Sequence, residues 1–169
     1  MIPPIAVLAD GFGRVQEAVQ DAVEGLSPDA LAWRPGPRAN TIAWLVWHLT
    51  RVQDDHVAEL AGAEALWTAE GWVDRFGLPF ARGATGYGQD PAEVGAVRAS
   101  ADLLAGYSQA VHRRTFAYLE DVTERDLDRV VDERWEPPVT LAVRLVSVLC
   151  DDLQHAGQAA YVRGLLAQR

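Results

Sequence analysis

The sequence predicts an all-α domain, a four-helix bundle whose helices are joined by long crossover connections. Three observations carry that expectation. Four stretches repeat apolar residues every three or four positions, the period of one helix face. The segments between them gather the proline and glycine that end helices. Two of those segments are too long for a simple up-and-down arrangement.

The first stretch runs from about Pro4 to Glu24, with Ile5, Leu8, Phe12, Val15, Val19 and Val23 on one face, and stops near Gly25. Ser27-Pro28-Asp29 reads as a short helical turn, and Trp33-Arg34-Pro35-Gly36-Pro37 cannot continue a helix. Asn40 is expected to cap a second helix through about Leu60, with Trp44, Leu45, His48, Val52 and Asp55 along one face. From Ala61 to Gln89 the chain turns glycine-rich and aromatic, which marks a long crossover. Asp90-Pro91-Ala92-Glu93 pairs a capping residue with proline at the first helical position and opens a third helix reaching about Leu119. Residues 120–139 read as extended, closed by Pro137-Pro138. Thr140 then caps a fourth helix to about Leu166, apolar on most of its circumference and therefore expected at the centre.

The 169 residues fit one domain, taken as 1–169, and bury enough surface to need no covalent staples. A single cysteine, Cys150, excludes an intramolecular disulfide, and no basic stretch leads into an apolar run at the start; a reducing cytoplasm is the expected location. No window is apolar enough to span a bilayer, so no membrane partner is expected. A formal net charge of -9 with no basic cluster argues against nucleic acid. All basic residues are arginine, which together with abundant alanine and valine suggests GC-rich coding.

The residues that could carry chemistry lie on helices two and four. Asp151 and His155 are four apart and share one helix face, so both can reach a common point. His48, on the core-facing side of helix two, is the best third partner. Two imidazoles and a carboxylate suit zinc, with iron and nickel as alternatives, and leave positions open for water or substrate. The competing reading is a buried polar network without metal, in which Asp151 pairs with Arg144. Asp152 rivals Asp151, but about 100° of helix rotation separates them, so only one should face the site. Asp55 is a candidate general base or supporting residue, and Arg144 and Arg163 are candidate anchors for a substrate carboxylate. Gln158 is either a hydrogen-bond partner of the site or a core amide. His56 and His112 are expected to be structural surface residues, and Cys150 a buried structural thiol. The Glu-x-x-His signature of di-iron bundles is represented only by Asp152-Leu153-Gln154-His155, without a second copy.

Thr41-Ile42-Ala43-Trp44-Leu45-Val46-Trp47-His48-Leu49, followed about a hundred residues later by Asp151-Asp152-Leu153-Gln154-His155-Ala156-Gly157-Gln158, resembles the DinB-like superfamily over the whole chain. That resemblance implies a four-helix bundle with a metal triad of His48, Asp151 and His155. Members usually carry histidine where Asp151 stands; the carboxylate variant is similar to that of mycothiol-dependent maleylpyruvate isomerase. The resemblance further implies a transferase or isomerase that uses a low-molecular-weight thiol, mycothiol if the source is actinobacterial. The metal would hold the thiol as thiolate and present it to a small electrophilic substrate. Two alternatives stay open: a metal-dependent hydrolase activating water, and a non-catalytic bundle that forms a homodimer or binds a partner. A homodimer is the expected assembly.

Overall fold

The computed structural model describes residues 2–169. In chain order it contains α1 (Pro4–Val23), α2 (Pro28–Leu31), α3 (Ile42–Ala61), α4 (Leu66–Ala69), α5 (Trp72–Phe76), α6 (Pro91–Ala96) and α7 (Ala101–Asp121). A 3-10 turn at Glu124–Asp128 leads to a two-stranded antiparallel ribbon of β1 (Val130–Asp132) and β2 (Val139–Thr140), and α8 (Leu141–Leu166) closes the chain. The four long helices α1, α3, α7 and α8 form the bundle.

Side-chain pairs fix their directions. Gly11 lies against Leu149, and Arg163 donates to the carbonyls of Ala22 and Glu24, so α1 and α8 run parallel. His48 faces His155 while Val52 and Asp55 share a cleft with Val148 and Ser147, so α3 runs against α8. Arg51 reaches Tyr107, Gln53 donates to Thr115, and Arg114 donates to the Glu64 carbonyl, so α3 and α7 point the same way. The order is up, down, down, up. Joining two parallel neighbours requires the chain to travel back along a 20-residue helix, about 30 Å, which accounts for the long crossover between α3 and α7.

The helix ends follow local chemistry, with two departures from expectation. Thr41, not Asn40, caps α3: its hydroxyl accepts from the Trp44 amide at 3.0 Å. The expected third helix is two helices. The capping box at Asp90 and Glu93 starts α6 as foreseen, but Val97 is extended and Ser100 caps a new helix, α7, by accepting from Leu103. Val97 and Ala99 are buried in the break, so core contacts hold the chain out of helical geometry. Thr140 caps α8 as expected. That helix is not enclosed, however: Val143, Val146, Leu153 and Tyr161 are exposed along its outer side. Cys150, on the same side, is also exposed rather than buried.

The larger core cluster surrounds the first half of α3, from Ile42 to Leu49, and draws Trp67, Trp72 and Phe76 out of the crossover. A smaller cluster of Phe12, Leu119, Leu141, Leu145 and Val148 fills the opposite end. Each aromatic side chain buried from the crossover contributes on the order of 4–6 kcal/mol of transfer free energy by area. The crossover is therefore part of the core.

A polar device inside that core ties the crossover down. The Asp54 carboxylate, fully buried, accepts from the amides of Leu66 and Trp67 at 2.9 and 2.8 Å and from the Tyr107 hydroxyl at 2.7 Å. Those amides open α4, so Asp54 acts as a cap supplied from a different helix. Arg51, also buried, lies 3.6 Å from Asp54, donates to the Ala84 carbonyl at 3.1 Å and sits 5.1 Å from the Trp67 ring centre. Burial first, and then the neighbouring Asp54 charge, push the Tyr107 hydroxyl well above its ordinary pKa, against the opposing influence of Arg51; it stays protonated and donates. Removing one member of such a buried set leaves the others uncompensated, so Asp54→Ala should cost about 3–5 kcal/mol. Denaturant unfolding of Asp54→Ala beside the parent checks this, and a loss below about 1 kcal/mol would show that the pair contributes no more than a surface one.

Candidate metal centre

Four residues of α3 at successive turns of one face, Trp44, His48, Arg51 and Asp54, all reach the crossover. Trp44 donates from its indole to Gln89 at 2.7 Å, and His48 Nδ1 lies 2.6 Å from the Thr85 carbonyl. A carbonyl only accepts, so Nδ1 carries the proton and His48 presents the lone pair of Nε2. The Trp44 ring stacks on the imidazole with centroids 4.6 Å apart, which leaves the ring little freedom to rotate.

Across from His48, α8 supplies His155 and Asp151. The two imidazole centroids are 4.8 Å apart, and His155 Nε2 is 3.6 Å from Asp151 Oδ1. His155 Nδ1 is 3.1 Å from Gln158 Oε1, so the amide oxygen accepts and Nε2 again faces the centre. One ligand atom from each of His48, Asp151 and His155 lies within 4.8 Å of the others. Ligands held about 2.0–2.2 Å from one ion stand at most about 4.4 Å apart, so the three atoms are close enough to take up a common ion with a small inward shift of the side chains.

The donor set fits a divalent cation on a second count. Asp151 Oδ2 is buried and has no hydrogen-bond partner, an arrangement that costs free energy unless a cation or water satisfies it. Both imidazoles also have their outer nitrogens engaged, by Thr85 and Gln158, the support that metal-ligating histidines ordinarily receive. Burial, and to a smaller extent the nearby His155, hold His48 below the ordinary imidazole pKa despite the Thr85 bond, so it stays neutral where it must donate a lone pair.

Of the two adjacent aspartates, Asp151 joins this group. Asp152 is fully buried on another side of α8 without a partner, and burial followed by the Asp151 charge raises its pKa well above the carboxylate range, so it is neutral. Arg144 does not pair with Asp151. It donates to Asp132 at 2.9 Å, beside Arg134, and its charge also acts on the nearby His56, disfavouring protonation of that imidazole. Arg163 is likewise engaged with the carboxyl end of α1.

The cleft at the triad has a volume of about 350 Å³ and is lined by His48, Val52, Asp55, His56, Thr85, Tyr87, Ser147, Val148 and Asp151. Asp55 is thus at the cleft, seven residues beyond His48 and therefore about 10 Å along the helix from the triad. His56, expected on the surface, is half-buried and lines the cleft. His112 is half-buried against the Phe116 ring. Thr85 and Tyr87 bring the glycine-rich, aromatic crossover to the cleft, and only the folding of that segment sets which of its residues meet α3. Gly86 gave a signal without an address: its φ is +97°, and a Cβ there would lie 2.7 Å from His48 Nδ1 and 3.0 Å from the Trp47 ring.

The chain belongs to the DinB-like superfamily, as the match of a member family's model over nearly all of its length shows. More specifically, the family model for mycothiol-S-transferase matches residues 7–168, and the chain belongs to that family. A crystal structure of a conserved protein from Enterococcus faecalis superposes with a TM-score of 0.93 at 29% identity, covering 100% of both chains. No curated protein sequence matches this chain. No described helix is long and apolar enough to cross a membrane.

Gly86→Ala should force the crossover off His48 and weaken metal binding at least about tenfold while costing roughly 1–3 kcal/mol of stability. Metal titration and thermal melts of the same variant test both, and unchanged metal affinity would show that the Thr85 contact does not orient His48. Acid sensitivity follows from the histidines. His48, His56 and His112 all titrate below the ordinary imidazole range because burial disfavours their charged forms. Their unfolded forms bind protons more readily, so the stability they contribute is complete above about pH 6.5 and is lost as pH falls. Metal-free protein should lose stability between roughly pH 7 and 5, and His56→Gln should flatten part of that slope in denaturation curves taken across the range.

Proposed function

We propose that this chain is a divalent-metal-dependent thiol S-transferase in which His48, Asp151 and His155 hold one ion, zinc in the first instance. The observation that supports the reading is the convergence of three ligand atoms from two helices at the end of an open cleft, with a buried carboxylate oxygen otherwise unpartnered. The family name suggests mycothiol as the thiol. The electrophile is a small molecule able to enter a cleft of about 350 Å³.

A divalent ion held there supplies the positive charge that favours a thiolate over a thiol at neutral pH. The residues set how much charge remains. Two neutral imidazoles and one carboxylate would leave a bound divalent ion one formal positive charge, the amount a single thiolate would balance. Asp151 in place of a third imidazole thereby favours release of the sulfur to the electrophile. His48 and His155 contribute direction, each fixed by its outer nitrogen. In the transfer the thiol loses its S–H proton to solvent and the sulfur lone pair forms the new carbon–sulfur bond. The leaving group departs with the electrons of the bond that breaks.

Protein purified without a chelating tag should carry near one zinc or iron per chain, and both His155→Ala and Asp151→Ala should lose it while keeping the helical circular-dichroism signal. Transfer to a model electrophile should then require both the metal and mycothiol. Full metal content in either variant would sink the ligand assignment. Turnover that needs metal but no thiol would favour hydrolysis by an activated water.

A further inference from the structure

The cleft has two chemically different ends. The metal triad occupies one; Val52 and Val148 form an apolar floor; and the far end is built from Asp55, His56 and Ser147, with Tyr87 on one wall. His56 lies eight residues beyond His48, about 12 Å along α3, and α8 runs the opposite way, from His155 back to Ser147. A molecule whose sulfur sits at the triad therefore extends its other end toward these side chains.

Asp55 and Ser147 bring acceptors to the cleft, and His56 brings an imidazole. Asp55 is a carboxylate, half exposed. The Ser147 hydroxyl spends its proton on the Val143 carbonyl at 2.8 Å, so its remaining lone pairs face outward. His56 Nδ1 is buried without a hydrogen-bond partner, and its nearest acid is Glu59 at 3.8 Å. Both Glu59 and the Arg144 charge act on the ring, whose nitrogens can donate to a hydroxyl or accept from one. Arg51, 3.8 Å from Asp55, offsets part of the carboxylate charge and makes the position less favourable for a cation. A partly compensated carboxylate, a hydroxyl and an imidazole together match neutral hydroxyl groups, which can both donate and accept, better than they match a carboxylate, a phosphate or an ammonium group. The exposed Tyr87 ring adds a flat apolar face of the kind that covers the C–H side of a polyol.

We propose that Asp55, His56 and Ser147 form a specificity subsite for the polyhydroxylated end of the thiol. This rests on the metal-dependent thiol reading above and assigns residues for selection that the reading does not. The test uses cobalt(II)-loaded protein and three cysteamine amides of matched length: the gluconoyl amide, with hydroxyls; the adipoyl amide, ending in a carboxylate; and the hexanoyl amide, a hydrocarbon. Coordination of sulfur is read from the thiolate-to-cobalt absorption band and affinity from titration of that band. The gluconoyl amide should bind about tenfold or more tightly than either other amide, a difference of about 1.4 kcal/mol. Ser147→Ala combined with Asp55→Ala should remove most of that preference without changing the band or the hexanoyl affinity. Asp55→Lys should turn the preference toward the adipoyl amide. Three equal affinities, or a preference that survives both variants, overturn the subsite and leave the metal–thiol reading standing. A band that no thiol produces overturns that reading and the subsite with it.

Discussion

The buried carboxylate of Asp54 is the interaction on which the rest of the molecule depends. A crossover between parallel helices has no regular hydrogen-bonding partner, and burying its backbone would leave amides unsatisfied. Asp54 accepts two of those amides and the Tyr107 hydroxyl, and Arg51 beside it reaches the Ala84 carbonyl. The two ions compensate one another inside the core, which neither could occupy alone. With the crossover fixed at both points, Trp67, Trp72 and Phe76 pack into the bundle and the Thr85 carbonyl arrives at His48.

The same face of α3 thereby links stability to function. Trp44, His48, Arg51 and Asp54 follow one another up the helix, and all four engage the crossover. Three of these contacts are structural; the fourth orients an imidazole. His48 is rigid because the loop that fixes its proton is itself held one and two turns further along by Arg51 and Asp54. Helix α8 contributes differently. Its inner face carries the core residues Leu145, Val148, Ala156, Ala159 and Val162, and the Asp151 and His155 pair lies at the edge of that face, where the bundle opens to the cleft.

Charge distribution in the cleft separates two tasks. At the triad, two imidazoles and one carboxylate converge, a donor set that suits a divalent cation. At the far end Asp55, His56 and Ser147 line the cleft. Two arginines of α8 have acceptors away from the triad: Arg144 donates to Asp132, which Arg134 and Arg144 hold below the ordinary carboxylate range, and Arg163 donates to the end of α1.

Much of this was fixed by local sequence. Apolar periodicity located the long helices, the threonine before Leu141 and the Asp-Pro-Ala-Glu box placed two helix starts, and the four-residue spacing of Asp151 and His155 put them on one face, because helix geometry depends only on near neighbours. Adjacent candidates were less separable. Asn40 and Thr41 are both good caps, and the register that selects Thr41 comes from the packing of α3. Val97 to Ser100 would continue a helix by composition alone; burial of Val97 and Ala99 breaks it. Only the tertiary structure decided which of Asp151 and Asp152 stands beside His155, which acids the arginines engage, and that Thr85, Tyr87 and His56 line the cleft. Those choices turn on contacts between segments tens of residues apart, and no periodicity within a segment encodes them.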